Sequence, residues 1–342
     1  MTERLVEADL IRTITRLAGG RHRGVRVGIG DDCAVLELAA GARLVATTDL
    51  LVEDVHFRRR YASPSDVGWK ALAVNLSDIA AMGATPRWAL VALACPEDGH
   101  ANEVEAFYEG ALALASAHDV AIVGGDTSAS SAGWMVNVTL LGEATATPIL
   151  RSGARPGDVL AVTGPLGRAA AGLAILQAPA PPPGLGAVTL AEVTGAHLRP
   201  RPRVAEGQWL GHAGGVTAMM DLSDGLATDL PRLAAASGAG TRVDIERVPV
   251  HEATRACAHA LGVDALVWAT GGGEDYELLL ACAPEGLDRL AKGLAALTGA
   301  ALTAIGEVTA APGVRYVDGR GREVDVAPGF EHFAARGGRA RA

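Results

Sequence analysis

Apolar residues recur along this 342-residue chain with two periods, and the period decides which element each stretch predicts. Over residues 66–82 the spacing is helical. Trp69, Leu72, Ala73, Leu76, Ile79 and Ala80 fall on one stripe, with Ser63 or Ser65 as cap and Gly83 as stop. The same spacing predicts helices over 3–17 (ended by Gly19-Gly20), 101–118, 167–177, 204–212, 225–237 and 285–297. Short alternating or continuous apolar runs predict strands over 26–29, 34–38, 44–47, 87–94, 120–124 and 134–143. Further strands are expected over 159–163, 216–222, 241–245, 276–282, 302–308 and 314–317, the last pairing across Asp318-Gly319. Residues 49–57 read as a polar loop, 179–183 as a Pro-rich surface loop, and the segment after Phe333 as a frayed tail.

Strands and helices mix here without regular βαβ spacing, so the fold class is α+β. The polar, Gly- and Pro-bearing segment 151–158 marks a boundary. One domain is expected over 1–150, a second over 151–333, and a tail over 334–342.

Composition narrows the functions. A formal charge of −9 argues against a nucleic-acid surface. Lys70 and Lys292 are the sole lysines, so arginine carries the positive charge, and its fork suits phosphate and carboxylate. Cys33, Cys95, Cys257 and Cys282 are scattered without metal-type spacing, as in a reduced, cytoplasmic chain. Residues 1–8 lack an apolar signal core, and the prolines at 179–183 break the charge-free stretch 169–191. The chain is therefore expected to be soluble and free of membrane.

Aspartates among small residues are the recurring chemistry. They occur in Gly28-Ile29-Gly30-Asp31-Asp32, Thr47-Thr48-Asp49, Asn75-Leu76-Ser77-Asp78, Gly124-Gly125-Asp126 and Asp221-Leu222-Ser223-Asp224-Gly225. Taken singly, an Asp at a strand-to-turn junction ordinarily bonds nearby amides or caps a helix. Five such sites point further, because converging carboxylates repel unless cations lie between them. All-oxygen donors favour Mg²⁺-type ions. Asn75 and Asp78 share a helix face with Ala71 and Ala81. Ser223 either caps the next helix or adds an anion site at the same amides. Gly271-Gly272-Gly273-Glu274 is either a flexible loop or a close approach to a ligand with Glu274 at its rim. His56 is either solvated or a ligand contact, and Arg151 is a phosphate candidate. No P-loop, dinucleotide fingerprint, Ser/His/Asp order or zinc motif is present. Phosphate chemistry run by several Mg²⁺ ions on aspartates remains.

As a set these motifs resemble the thiamine-monophosphate kinases of the aminoimidazole ribonucleotide synthetase-like superfamily. The resemblance is carried by Gly28–Asp32, Thr47–Asp49, Lys70–Gly83, Gly124–Thr127, Arg151–Gly153, Asp221–Gly225, Gly272–Leu278 and Gly329–Phe333, in that order. Two siblings fit less well. Selenophosphate synthetase needs a reactive Cys before the first glycine motif, and the hydrogenase-maturation protein ends in a functional Cys. This chain has neither.

The resemblance implies a two-domain fold whose N-terminal mixed sheet forms a barrel across a homodimer, with a layered C-terminal α/β domain. It implies ATP-dependent phosphorylation of thiamine monophosphate, the last step to thiamine diphosphate, by direct in-line transfer with several Mg²⁺ ions and ATP as co-substrate. It also implies Asp32, Thr47, Thr48, Asp49, Asp78, Asp126, Asp221 and Asp224 as metal ligands. Gly125, Asp126, Arg151 and Ser223 become nucleotide contacts, with Tyr108 a further candidate. His56, Glu274 and Phe330 become contacts to thiamine phosphate. Where Tyr or Trp is also expected at position 330, Phe keeps stacking but loses a hydroxyl.

Overall fold

The computed structural model describes residues 7–331. The expected tail and the start of the first helix lie outside these residues. The chain divides into two compact units. One comprises residues up to Ala80 with Ala84–Thr147, the other Ala81–Gly83 with residues from Pro148 onward.

In the first unit, α1 (Glu7–Ala18) precedes a small ribbon of β1 (Val25–Val27) and β2 (Val35–Leu36). Then follow β3 (Arg43–Val52), α2 (Pro64–Ala81), β4 (Thr85–Pro96), α3 (Ala101–Ala117), β5 (Ala121–Ser130) and β6 (Met135–Ala144). The four long strands form a mixed sheet in the order β3-β6-β4-β5, with only β4 and β5 parallel. Side chains alternate between its faces. Leu51, Val91, Leu93, Val136, Val138 and Leu140 are buried on the inner face, where Gly142 lies under Ile79 of α2. On the other face Leu44, Leu50, Leu90 and Met135 stay 52, 52, 37 and 39 % exposed.

Two strands are longer than their apolar runs suggest. β3 continues through Asp49 to Val52, and β5 through Asp126 to Ser130. The ladder pairs Asp49 with Val138, on the inner face beside α2, and Asp126 with Ala92, on the open one, so polar residues continue both strands past their apolar runs. The loop expected over 49–57 shrinks to a tight turn closed by Asp54 N–H on Phe57 O (2.8 Å) and His56 N–H on Val52 O (2.9 Å).

The second unit contains β7 (Val159–Val162), α4 (Arg168–Gln177), α5 (Ala187–Leu198), α6 (Val204–Ala213), β8 (Val216–Asp221) and α7 (Leu226–Ser237). It continues with β9 (Gly240–Asp244), α8 (Glu252–Leu261), α9 (Ala265–Gly271), β10 (Leu278–Cys282), α10 (Pro284–Thr298), β11 (Thr303–Thr309) and β12 (Val314–Val317). Its six-stranded sheet runs β12-β9-β11-β7-β10-β8. Leu160, Val162, Met220, Leu230, Leu279 and Ile305 are central to its core. β12 pairs in parallel with β9, and the Asp318 turn returns a single bridge, Val317 to Glu323. The hairpin expected there is thus secondary to a long-range pairing. Helices α5, α8 and α9 have no counterpart among the predicted elements.

Glycines let backbones touch. A Cβ at Gly68 of α2 would stand 1.9 Å from Phe107 O, and one at Gly110 of α3 would stand 1.9 Å from Ser65 O. Gly110→Ala should therefore force the two helices apart and lower unfolding free energy by about 1–3 kcal/mol. A urea melt reads this directly, and an unchanged midpoint would contradict the close crossing.

Candidate active site

In the first unit, β3 and α2 bring three oxygen-bearing side chains together. Thr47 Oγ1 donates to Asp78 Oδ2, and Asp49 lies two residues along on the same strand face. Burial, then the charge of Asp78, pushes the Asp49 carboxyl up to about 6. Thr48 points to the opposite face, where its Oγ1 lies 3.1 Å from both Asn137 Oδ1 and Thr139 Oγ1. Asp126 also belongs to that face, on β5, at the other edge of the sheet. Three strand spacings, roughly 14 Å, separate the edges. Gly125 before it has φ 153°, and a Cβ there would meet Val91 O at 1.9 Å. Asp32 sits in the exposed turn after β1, its N–H on Asp31 Oδ1 (2.8 Å).

His56 lies in the turn after β3, with Nδ1 accepting from Val52 N–H at 3.0 Å. Its proton is therefore on Nε2. Lys70 Nζ donates to His56 O at 3.2 Å. Tyr108 is 2 % exposed and packs edge-on against Phe107, with centroids 5.3 Å apart. It packs in the core of the first unit. Among the described residues no three His, Cys, Asp or Glu side chains are gathered as a metal cluster.

In the second unit, β8 ends at the buried Asp221, opposite Leu278. The turn that follows is held from three directions. Glu274 N–H donates to Ser223 O (2.7 Å), Tyr276 N–H to Leu222 O (2.9 Å) and Phe330 N–H to Asp224 O (3.1 Å). This brings Asp221, Ser223, Asp224, Glu274 and Phe330 into one loop cluster. Gly225 (φ 98°) is the N-cap of α7 and no side chain caps it, so Ser223 is not the cap. Asp229, one turn into α7, instead accepts from Asp224 N–H at 2.9 Å. Burial raises its carboxyl to about 6. Arg232 Nη1 donates to Asp224 Oδ2 and Asp229 Oδ1, each at 2.7 Å. Arg151 is anchored elsewhere. Ser237 Oγ donates to its carbonyl at 3.1 Å, at the far end of the 12-residue α7. That helix is about 18 Å long.

Behind the cluster lies a buried ionic frame. Glu277 accepts from Thr163 Oγ1 (2.8 Å), Arg203 Nε (2.7 Å) and Arg168 Nη2 (3.2 Å). Asp275 caps α4 from a distance, accepting from Gly167 N–H (2.5 Å) and Ala169 N–H (3.1 Å). Asp275 and Glu277 fall inside the motif 272–278, but the sequence gives neither of them a role. Asp229 and Arg232 did carry a signal, opposite charges three apart on a predicted helix. The partners of Asp275 and Glu277 are more than seventy positions away, where no local pattern reaches.

Two family models match: AIR synthase related protein, N-terminal domain, over residues 30–144, and the C-terminal domain of the same group over 155–319. The two-domain architecture is thus that of the AIR synthase related proteins. The thiamine-monophosphate kinase of Salmonella typhimurium is 41 % identical over 91 % of this chain and 93 % of its own. The crystal structure of the Stenotrophomonas maltophilia thiamine-monophosphate kinase superposes with a TM-score of 0.80 at 37 % identity, covering 92 % of this chain and 98 % of that one. A complex described as AaThiL with AMPPCP and TMP gives 0.76 at 33 % identity, over 97 % of this chain and 100 % of that one. The chain belongs to the thiamine-monophosphate kinase family.

Burial raises the Asp275 carboxyl from 3.8 to about 7 despite its two amide donors. The folded state thus holds this proton more tightly than the unfolded chain. The resulting stabilisation is complete below pH 4 and is lost as pH rises through 7. Asp275→Asn removes the ionisation and keeps an acceptor for one of the two amides. Its unfolding free energy should fall less than the parent's between pH 4.5 and 8, by on the order of a few kcal/mol. Parallel slopes in urea melts across that range would overturn this.

Proposed function

We propose that this protein transfers a phosphoryl group from ATP to thiamine monophosphate, forming thiamine diphosphate, the last step in making that cofactor. The observation that carries the reading is the 41 % identity to a thiamine-monophosphate kinase over nine-tenths of both chains. The geometry agrees with it. Thr47, Asp49 and Asp78 present only oxygen donors, and Asp49 is destabilised as an anion by burial and by Asp78. A hard divalent cation relieves both effects, so the residues fit Mg²⁺. They would hold one ion, with Asp32, Thr48, Asp126, Asp221 and Asp224 assigned to the others. Bound Mg²⁺ supplies neutralisation of phosphate charge.

The chain's own groups orient the reactants. Gly125, Asp126, Arg151 and Ser223 are assigned to the nucleotide. Arg151 gives a forked cation. His56 is assigned to the acceptor. Phe330, 45 % exposed and tied by its amide to Asp224, offers a ring for stacking. The acceptor oxygen is already anionic, so transfer is direct and in line, without a phosphoenzyme.

The protein acts as a cytoplasmic homodimer. Leu44, Leu50, Leu90 and Met135 form an open apolar face, and the ten-residue edge strands β3 and β5 pair on one side each. Closing two such sheets into a barrel covers the face and both edges. Among the described residues no helix is long and apolar enough to cross a membrane.

Incubation with ATP, Mg²⁺ and thiamine monophosphate should yield thiamine diphosphate. Asp126→Asn should lose about 100-fold or more in turnover with its melting temperature little changed. Absence of product from the parent refutes the reading, and near-parental turnover in the variant removes Asp126 from the site. Light scattering should report a dimer, and Leu50→Lys should shift it toward monomer. A monomeric parent would refute the barrel.

A further inference from the structure

We propose that Ser237 is a positioning residue that holds the Arg151 turn ready for the phosphates of the nucleotide. This rests on the assignment of Arg151 to the nucleotide made above.

The segment ahead of β7 runs along the outer edge of β8, the last strand of the six-stranded sheet. Met219 N–H donates to Leu150 O at 2.9 Å, and a Cβ on Gly153 would stand 2.6 Å from Thr217 O. Met219 lies two residues, about 7 Å, before Asp221, so β8 links this segment to the acid at its end. Gly153 itself has φ 117°, a backbone that favours glycine.

The segment is firmly mounted on both sides of Arg151. Ahead of it, Ile149 N–H donates to Met82 O at 3.1 Å. After it, the buried Asp158 carboxylate accepts from Arg155 N–H (2.9 Å) and Thr217 Oγ1 (2.7 Å), and Gly157 N–H donates to Val308 O (2.9 Å). Among the described residues, Ser237 supplies the one side chain that bonds the stretch between these mounts. Its Oγ donates to Arg151 O at 3.1 Å and accepts from Ala154 N–H at 3.2 Å. An ordinary β-turn joins two such groups, the carbonyl of i and the amide of i+3, directly. Here a hydroxyl stands between them and keeps the turn open.

What the turn presents is a cation. Arg168, Arg203 and Arg232 are each committed to carboxylates. Arg151 is exposed, and among the described residues no carboxylate engages its guanidinium. A guanidinium meets phosphate through a directional fork, so its contact depends on where the backbone holds it. Ser237 is the last residue of α7, which ends at the left-handed Gly238. The tie therefore references an arginine on a loop to a rigid helix. Without the hydroxyl the turn closes on itself or takes up water, and the arginine moves with it.

Calorimetry with the ATP analogue AMPPCP and Mg²⁺ tests this without any turnover. Ser237→Ala, an exchange that suits a helix, should weaken AMPPCP about fivefold, the scale of one hydrogen bond. Ser237→Thr keeps the hydroxyl and should bind within about twofold of the parent. In an Arg151→Gln background, Ser237→Ala should change the affinity less than about twofold, because the group it positions is gone. In turnover, Ser237→Ala should raise KM for ATP while KM for thiamine monophosphate stays within about twofold. Unchanged AMPPCP affinity in Ser237→Ala, equal weakening by Ala and Thr, or a loss that persists in full without Arg151 would overturn the proposal. A parent that shows this coupling but makes no thiamine diphosphate refutes the reaction proposed above and leaves the role of Ser237 standing. A parent that binds no AMPPCP overturns both.

Discussion

Negative charge brought close to negative charge, away from water, is the constraint on which this structure turns. The two units answer it differently. Around α7, Asp224 and Asp229 lie close enough for one arginine, Arg232, to bond both. That neutralisation is internal, and it allows Asp229 to sit fully buried at the turn it stabilises. Between β3 and α2, Asp49 lies near Asp78, which Thr47 bonds, and burial with the charge of Asp78 raises the proton affinity of Asp49. Under the proposed function a divalent ion would relieve that repulsion. The cost of holding the site ready is borne by burial elsewhere on the same face, Leu51, Val138 and Leu140 among it.

Much of the fold was legible because its elements announce themselves locally. α2 reads from its apolar stripe and its Gly83 stop, and α10 from Pro284 at its start and Gly299 at its end. α5 was hidden because Gly186 is its N-cap, without a capping side chain, directly after a proline run. α9 is seven residues long and runs into three glycines, which read as loop. β3 and β5 were read short for the opposite reason. Each runs on past polar residues, Thr47–Asp49 in β3 and Asp126–Ser128 in β5, and such a stretch suggests a loop until the ladder is known. The open face itself is a tertiary fact, and no run of residues states it.

The candidate site was legible as a set of residues and not as an arrangement. Thr47, Thr48 and Asp49 are neighbours in sequence, yet a strand sends Thr48 to one face and the other two to the opposite one. Asp126 repeats the lesson at larger scale, because strand order places β5 three strands from β3. The backbone bonds joining Ser223 to Glu274 and Asp224 to Phe330 span some fifty and one hundred positions. Spacing rules cannot see them. Glycines were a better guide than they first seem, since Gly68, Gly110 and Gly172 each mark a place where two chains touch.

The chemistry of the reaction explains why the cluster is rich in acids and poor in bases. A phosphate acceptor arrives with its nucleophilic oxygen already charged, so a general base would remove nothing useful. What opposes transfer is the mutual repulsion of two polyanions, which falls when charge is neutralised and the groups are held in line. The histidine of the β3 turn is consistent with that division of labour. Its Nδ1 is occupied by the Val52 amide, which leaves it a donor through Nε2 and takes its ready lone pair out of play. A site built for proton abstraction would have kept that lone pair free. This one uses it to fix a ring.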